Sequence, residues 1–387
     1  LISKLKNKFT SESTHDKNKI ALMLGGGGAR AAYQVGVLKA IAELYPRNHG
    51  LPFKIICGSS AGAINSCALG CYASSFHLGV RKLEWVWHNM SSKNIFKSST
   101  KGVLAHLLAM MVRKFTWSTS ASPAVSVFNT KPLAKLLEQV IDFKMLDKNI
   151  ADDYLHAISV DASSYNQNSS ISFYQGNVEP WQRDGREGIK EQLTVDHLMA
   201  SAGIPILFPS IKIKNRYYGD GAICQFSPLS TPIHLGADKI LVINLESHIE
   251  KQTKTLIKHP SMAQIFGQIM EIVFADTLNA DIERVERINK TVAHLNASTR
   301  QKLGLKPIEM LLFKPSLNLS ELALKHYYSL PWAVRWLLKM IGGGNGKDPG
   351  IISYMLFENS FSRELIKLGE QDALARADEI KDFFELQ

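Results

Sequence analysis

The sequence has no run of about 18 uncharged apolar residues, so a membrane-spanning helix is not expected. Cysteine is scarce. Cys57, Cys67, Cys71 and Cys224 are too few and too clustered to staple 387 residues into a disulfide framework, which fits a reducing compartment. Cys67 and Cys71 stand four apart and would share a helix face, where two small apolar core residues are a simpler reading than a metal or redox pair. His-Glu-x-x-His, EF-hand and zinc-finger spacings are all missing, so neither a metal nor another cofactor is expected. Acid is in deficit: 35 Asp and Glu face 45 Lys and Arg, a formal net charge of +10. Such an excess suits nucleic acid and acidic lipid equally. Without a basic-zipper or single-strand-binding arrangement, nucleic acid is set aside. The lysine-rich stretch Leu1 to Lys19 lacks an apolar h-region, so residues 1–18 read as a basic tail and not as a signal peptide.

Apolar residues are plentiful, at 45% of the chain, enough to bury the core of one large α/β domain with a smaller part appended. Ile20 to Leu24 is a short apolar run that ends in four glycines, and Ala31 to Tyr45 carries apolar residues at helical spacing. That is strand, tight turn, helix. Phe53 to Cys57, Gly58-Ser59-Ser60-Ala61-Gly62 and a small-residue helix to about Ala73 repeat the plan. Further strand-like runs at Leu155 to Val160, Ile171 to Gln175, Ile211 to Tyr218 and Lys239 to Leu245, with helical patterns between several, predict a mostly parallel sheet covered by helices. Residues 19–248 form this expected α/β domain. Within it, 75–127 reads as a helical insertion or lid, with seven Lys or Arg against the single acid Glu84. Beyond about Glu250 strands are not expected, and 249–387 reads as a helical C-terminal region built from Met262 to Leu295, Leu319 to Ile341 and Ile351 to Leu386.

The Gly-x-Ser-x-Gly pentapeptide sits between a predicted strand and a predicted helix, where a sharp turn can thrust the hydroxyl of Ser60 out of the sheet. Gly58 and Gly62 permit the close backbone approach that such an elbow needs. The loop Gly25-Gly26-Gly27-Gly28-Ala29-Arg30 opens the first helix, and its bare N–H groups are suited to negative charge. Two functions share that physics. The loop could cradle a pyrophosphate, since Gly26, Gly28 and Ala31 satisfy G-x-G-x-x-G/A, or form an oxyanion hole from Gly26, Gly27 and Gly28, with Arg30 adding charge or fixing the loop. A dinucleotide site wants an acid near the end of the second strand, where Cys57 and the serine pentapeptide stand instead, so the oxyanion hole is favoured. A serine needs a base. Asp220, in Gly219-Asp220-Gly221-Ala222 after the Ile211 to Tyr218 run, would place a carboxylate on a glycine-hinged turn at a strand end. A Ser-Asp-His triad using His234 or His248 is the rival, although neither histidine sits in such a turn. A non-catalytic nucleotide-binding or scaffold module is the alternative from another class.

Taken in order, Gly26-Gly27-Gly28-Ala29-Arg30, Gly58-Ser59-Ser60-Ala61-Gly62 and Asp220-Gly221-Ala222 resemble the three signatures of the patatin-like phospholipase family. Ala200-Ser201-Ala202-Gly203-Ile204-Pro205 with Phe208-Pro209 adds to the likeness, which covers about Lys19 to Glu246. Ala31 departs from it, because the family usually has glycine after the basic residue. The resemblance implies a three-layer α/β sandwich and a Ser60–Asp220 dyad without histidine or metal, hydrolysing phospholipid or lysophospholipid acyl esters. A thioesterase, acyltransferase or neutral-lipid lipase would use the same dyad. Such an enzyme is expected in the cytoplasm, peripherally on an anionic membrane surface, with a protein or lipid activator left open. Two basic-aromatic segments are candidates for that contact: one with Arg113, Lys114 and Trp117, the other with Trp332, Arg335, Trp336 and Lys339.

Overall fold

The computed structural model describes residues 19–97, 126–246, 259–340 and 349–386. Strand β1 (Ile20–Leu24) leads through a 3-10 turn, Gly28–Ala31, into helix α1 (Ala32–Leu44). Strand β2 (Ile55–Ser59) runs straight into α2 (Ala61–Gly70), and α3 (Phe76–His88) and α4 (Lys131–Val140) follow. Next come β3 (Ala157–Ser164), β4 (Ser169–Gly176), β5 (Trp181–Arg183), β6 (Arg186–Lys190), helix α5 (Val195–Ser201), β7 (Ile211–Ile213), β8 (Arg216–Asp220) and β9 (Lys239–Ile243). The C-terminal part holds α6 (Met262–Glu271), which passes through a π-helical turn, Ile272–Asp276, into α7 (Thr277–Ala293), then β10 (Glu309–Phe313). Helices α8 (Leu319–Lys325), α9 (Trp332–Met340), α10 (Pro349–Met355) and α11 (Asn359–Leu374) come after it, with further helices at Ala297–Leu303 and Ala377–Phe384.

The strands form one mixed sheet in the order β10-β9-β1-β2-β3-β4-β6-β5, with β8 also paired to β3 and β7 to β8. From β10 to β3 every pairing is parallel, and β4 and β8 join β3 antiparallel. Central strands buried on both faces must be apolar throughout, and β1, Ile-Ala-Leu-Met-Leu, and β9, Lys-Ile-Leu-Val-Ile, are nearly so. One apolar layer, including Leu22, Leu24, Ile56 and Val160, faces α1 and α2, and the other, including Ala21, Met23, Ile55 and Cys57, faces α7. The result is the helix, sheet, helix sandwich that the residue pattern predicts. All four cysteines are buried and unpaired.

Three expectations need correction. Ile211 to Tyr218 is not one strand: the chain turns at Lys214, whose φ is 53°, and β7 and β8 form a hairpin. Strands do not stop near Glu250, because β10 extends the same sheet beside β9. Leu319 to Ile341 is not one helix: Pro331 lacks a donor and disfavours helix in Leu330, and α8 and α9 are separate. Helix α11 packs across α1 at Gly36 and Gly369, where any side chain would strike the facing backbone. No helix among the described residues is long and apolar enough to cross a membrane.

Candidate active site

Parallel strands deliver their C-terminal ends to one edge of the sheet, and β1 and β2 pair in register so that Leu24 stands beside Gly58. The glycine loop and the serine turn therefore emerge side by side. Ser60 adopts φ 54° and ψ −128°, a strained conformation for a residue with a Cβ, and it caps the N-terminus of α2. Gly62 lets the first turn of α2 lie directly on the carbonyls of Leu24 and Gly25, where a methyl group would collide. Gly28 has φ +55° and lies against the carbonyl of Tyr354, so its place in the loop is also closed to larger residues. The N–H groups of Gly26 and Gly27 have no acceptor among the described residues. A Cβ on Gly26 would lie only 3.1 Å from Ser60 Cβ, so the glycine loop packs directly against the serine turn.

Asp220 ends β8 and reaches the same point from the other side. Ser60 Oγ donates a hydrogen bond to Asp220 Oδ2 at 2.7 Å, and the Ala222 N–H donates to Oδ1 at 3.0 Å. Asp220 is fully buried, and burial pushes its carboxyl from an ordinary 3.8 up to about 7; the two hydrogen bonds oppose that rise. No histidine among the described residues hydrogen-bonds Asp220. His234 instead stacks on Trp181 at 5.1 Å between centroids, and His248 lies outside the described residues.

Several neighbours were not legible as site residues. Ser201, at the end of α5, accepts the Ser60 N–H at 2.9 Å, donates to the Asp161 carbonyl at 2.6 Å, and through its own carbonyl accepts the Gly221 N–H at 3.2 Å. One residue thus ties the serine turn, β3 and the aspartate turn together. The Asp161 side chain accepts from Ser172 Oγ at 2.6 Å and Gln225 Nε2 at 2.5 Å, and burial pushes its carboxyl up to about 6. Phe274, in the π-helical turn, covers the glycine loop: a Cβ on Gly26 would lie 2.5 Å from its ring, and the ring stacks on Tyr354 at 5.3 Å. Ser60 is left only 2% exposed.

Arg30 does not turn its charge towards Ser60. Its guanidinium is buried and donates to Ser353 Oγ at 2.8 Å, Tyr354 Oη at 3.1 Å and Ser320 Oγ at 2.6 Å, with its carbon 3.9 Å above the Tyr354 ring. These partners stand on α8 and α10, so the side chain is anchored to the C-terminal helices. Trp332 and Trp336 are exposed on α9 beside exposed Lys339 and half-buried Arg335, well away in sequence from Ser60 and Asp220. Arg113, Lys114 and Trp117, with most of the expected insertion, lie outside the described residues.

Residues 22–233, more than half the chain, match the family model described as patatin-like phospholipase. The chain belongs to the patatin-like phospholipase family. Among curated proteins it is similar to patatin-like phospholipase domain-containing protein 7 of Rattus norvegicus, 43% identical over 68 residues, 18% of this chain and 5% of that one. It is also similar to the cGAMP-activated phospholipase of Escherichia coli (strain TW11681), 24% identical over 226 residues, which cover 56% of this chain and 55% of the relative. Among solved structures, human GIVD cytosolic phospholipase A2 with a fluorophosphonate inhibitor matches with TM-score 0.43 at 11% identity, covering 99% of this chain and 62% of that one. The chain thus spans about half or less of the length of these curated relatives.

Proposed function

We propose that this patatin-like chain is a serine acyl hydrolase of phospholipid or lysophospholipid, with Ser60 as nucleophile and Asp220 as its base. The observation that carries the reading is the 2.7 Å hydrogen bond from a strained serine hydroxyl to a buried carboxyl pushed up to about 7. A carboxylate near its ordinary value is a poor base, whereas one matched to neutral pH can take a proton in the transition state. Ser60 Oγ attacks the ester carbonyl carbon as Asp220 takes its proton, and the Gly26 to Gly28 N–H groups hold the oxyanion. Collapse breaks the ester bond, Asp220 returns the proton to the leaving alcohol, and an acyl-Ser60 remains. Water then attacks with Asp220 again as base, releasing the fatty acid and regenerating Ser60.

A phospholipid is nearly insoluble as a monomer, so the enzyme must come to a lipid surface. Support for α9 as a contact lies in Trp332, Trp336 and Met340, which are 59%, 40% and 66% exposed, alongside Arg335 and Lys339. Aromatic and cationic side chains are both at home at the headgroup boundary. The reading is tested by labelling with a fluorophosphonate probe, followed by a lipid-class panel read by mass spectrometry. Labelling and fatty-acid release that both vanish in Ser60→Ala are the expected result. Unchanged labelling of a folded Ser60→Ala variant would overturn it, and release of a thiol, or transfer to an alcohol acceptor, would redirect it to a thioesterase or an acyltransferase.

A further inference from the structure

The strands that carry Ser60 and Asp220 end against the same neighbour. β2 runs parallel to β3 and its last residue, Ser59, stands opposite Asp161, whereas β8 runs antiparallel and its last residue, Asp220, stands opposite Ala162. With β4 occupying the other edge of β3, the two strands run towards each other along one edge and meet at Asp161 and Ala162. Asp161 is engaged there through its backbone and its side chain. Its carbonyl accepts from Ser201 Oγ at 2.6 Å, and Gly221 lies so close that a Cβ would come within 2.2 Å of that oxygen. Residues of a strand alternate between faces, and Val160 and Ala162 belong to the layer against α1 and α2. The Asp161 carboxyl therefore lies on the far face of the sheet, and it makes no hydrogen bond to Ser60 or Asp220.

From that face the carboxyl holds the turn that follows Asp220. Its Oδ2 accepts from Gln225 Nε2 at 2.5 Å, and its Oδ1 accepts from Ser172 Oγ at 2.6 Å, which in turn lies 2.8 Å from Thr231 Oγ1. Gln225 ends the turn that Asp220 begins: the Ile223 N–H donates to the Asp220 carbonyl at 3.2 Å, and the Gln225 N–H donates to the Ala222 carbonyl at 3.4 Å. The clamp is costly. Asp161 is fully buried, and among the described residues no Lys, Arg or His hydrogen-bonds it; Ser172, Gln225, Thr231 and the neighbouring Cys57 bring no positive charge. Asp281, which holds the same loop further on at Ser227 and Leu229, is by contrast paired with Arg284 at 2.9 Å. For stability alone an apolar residue would serve better at 161 than an uncompensated carboxyl.

We propose that Asp161 is a positioning residue for the base: by holding Gln225 it fixes the turn 220–225 so that Asp220 Oδ2 stays on the Ser60 hydroxyl. This rests on the acyl-hydrolase reading and adds to it a carboxyl that acts through another residue from the far face of the sheet. A base displaced by about 1 Å loses about 10²-fold in rate. A turn released from Gln225 also admits water to Asp220, which brings its carboxyl down from about 7 towards the ordinary 3.8 and moves the acid limb of kcat/KM to lower pH.

The test measures kcat, KM and the pH dependence of kcat/KM with a soluble aryl ester, alongside urea unfolding, for wild type, Asp161→Ala, Gln225→Ala and Asp161→Asn. Asp161→Ala and Gln225→Ala are each expected to lower kcat about 10²-fold with little change in KM and to move the acid midpoint below about 7. Gln225→Ala breaks the clamp from its other side, so the pair remains informative if Asp161→Ala fails to fold. Asparagine keeps an oxygen for Gln225, and its amide can donate to Ser172, so Asp161→Asn is expected to recover most of the kcat and the wild-type midpoint. Folded alanine variants that lose stability yet keep either the wild-type kcat or the midpoint at about 7 would overturn the positioning role, as would an Asp161→Asn no better than Asp161→Ala. A wild type that hydrolyses no ester and takes no fluorophosphonate on Ser60 would overturn the acyl-hydrolase reading, and the positioning role with it.

Discussion

Replacing Asp220 by asparagine should destroy activity and at the same time stabilise the fold, increasingly so as the pH rises. Burial lifts the Asp220 carboxyl from 3.8 to about 7, so the folded protein holds this proton more tightly than the unfolded chain does. The sign follows from linkage. The group leaves stability intact below the unfolded value of 3.8, lowers it progressively as pH rises through the interval, and costs a constant amount above about 7. At about 1.4 kcal/mol per pH unit the full cost is on the order of 4 kcal/mol, more than half of which develops between about pH 5 and pH 8. Asparagine has no charge to desolvate. Its single amide oxygen can keep only one of the two hydrogen bonds, from Ser60 Oγ or from the Ala222 N–H. That loss, about 1–3 kcal/mol, does not vary with pH and leaves the pH-dependent gap intact. Asp161, pushed up to about 6, acts in the same direction in both proteins and cancels from their difference. Urea denaturation of wild type and Asp220→Asn at the two pH values measures the gap, with kcat falling about 10⁴-fold. A gap that fails to widen with pH, or near-normal turnover in the variant, would refute the assignment of a buried base to this carboxyl.

Three further outcomes are expected. Turnover of wild type should rise with pH through about 7 and then level, because the base must be ionised to accept the serine proton; a kcat/KM profile that falls across that range would exclude Asp220 from the role. Ser201→Ala leaves the buried Ser60 N–H without its acceptor, so stability should drop by about 1–3 kcal/mol and kcat should fall with little change in KM, while Ser201→Thr recovers part of both in the same assays. His234→Ala should keep its turnover, whereas a variant with Trp332, Arg335, Trp336 and Lys339 all changed to alanine should sediment less with anionic vesicles, its soluble-ester turnover serving as the fold control.

The parts of the fold that follow from short-range pattern were readable beforehand. Continuous apolar runs gave β1 and β9, and glycines at fixed spacing marked the turns that carry Ser60 and Asp220 and the loop that opens α1. What was not readable depends on contacts far apart in the chain. Glu309 to Phe313 is five residues in a helical neighbourhood, and only its register against β9 makes it a strand. Ser201 was noted as part of a motif, yet its three partners, Ser60, Asp161 and Gly221, come from three separate turns and strands. Phe274 looked like an ordinary apolar residue of a long helix, and a π-helical turn, which has no compositional signature, brings its ring to Gly26. Arg30 was readable as part of the loop, but the direction of its side chain was set by residues 290 and 323 positions later.

Every hydrogen-bonding side chain that holds the Arg30 guanidinium, from Ser320, Ser353 and Tyr354, lies beyond residue 233, where the shared family segment ends. The segment that defines the family is thus not a detachable module in this chain. Cutting it free would remove every hydroxyl that holds the guanidinium, and with them the Tyr354 and Phe274 packing that covers the glycine loop. Grafting another relative's C-terminal helices onto it would succeed only where the graft brings hydroxyls to the same three places. The inheritance of the glycine loop and that of the C-terminal helices are coupled, and changes at Ser320, Ser353 or Tyr354 should track changes at Arg30 wherever the two regions have diverged together.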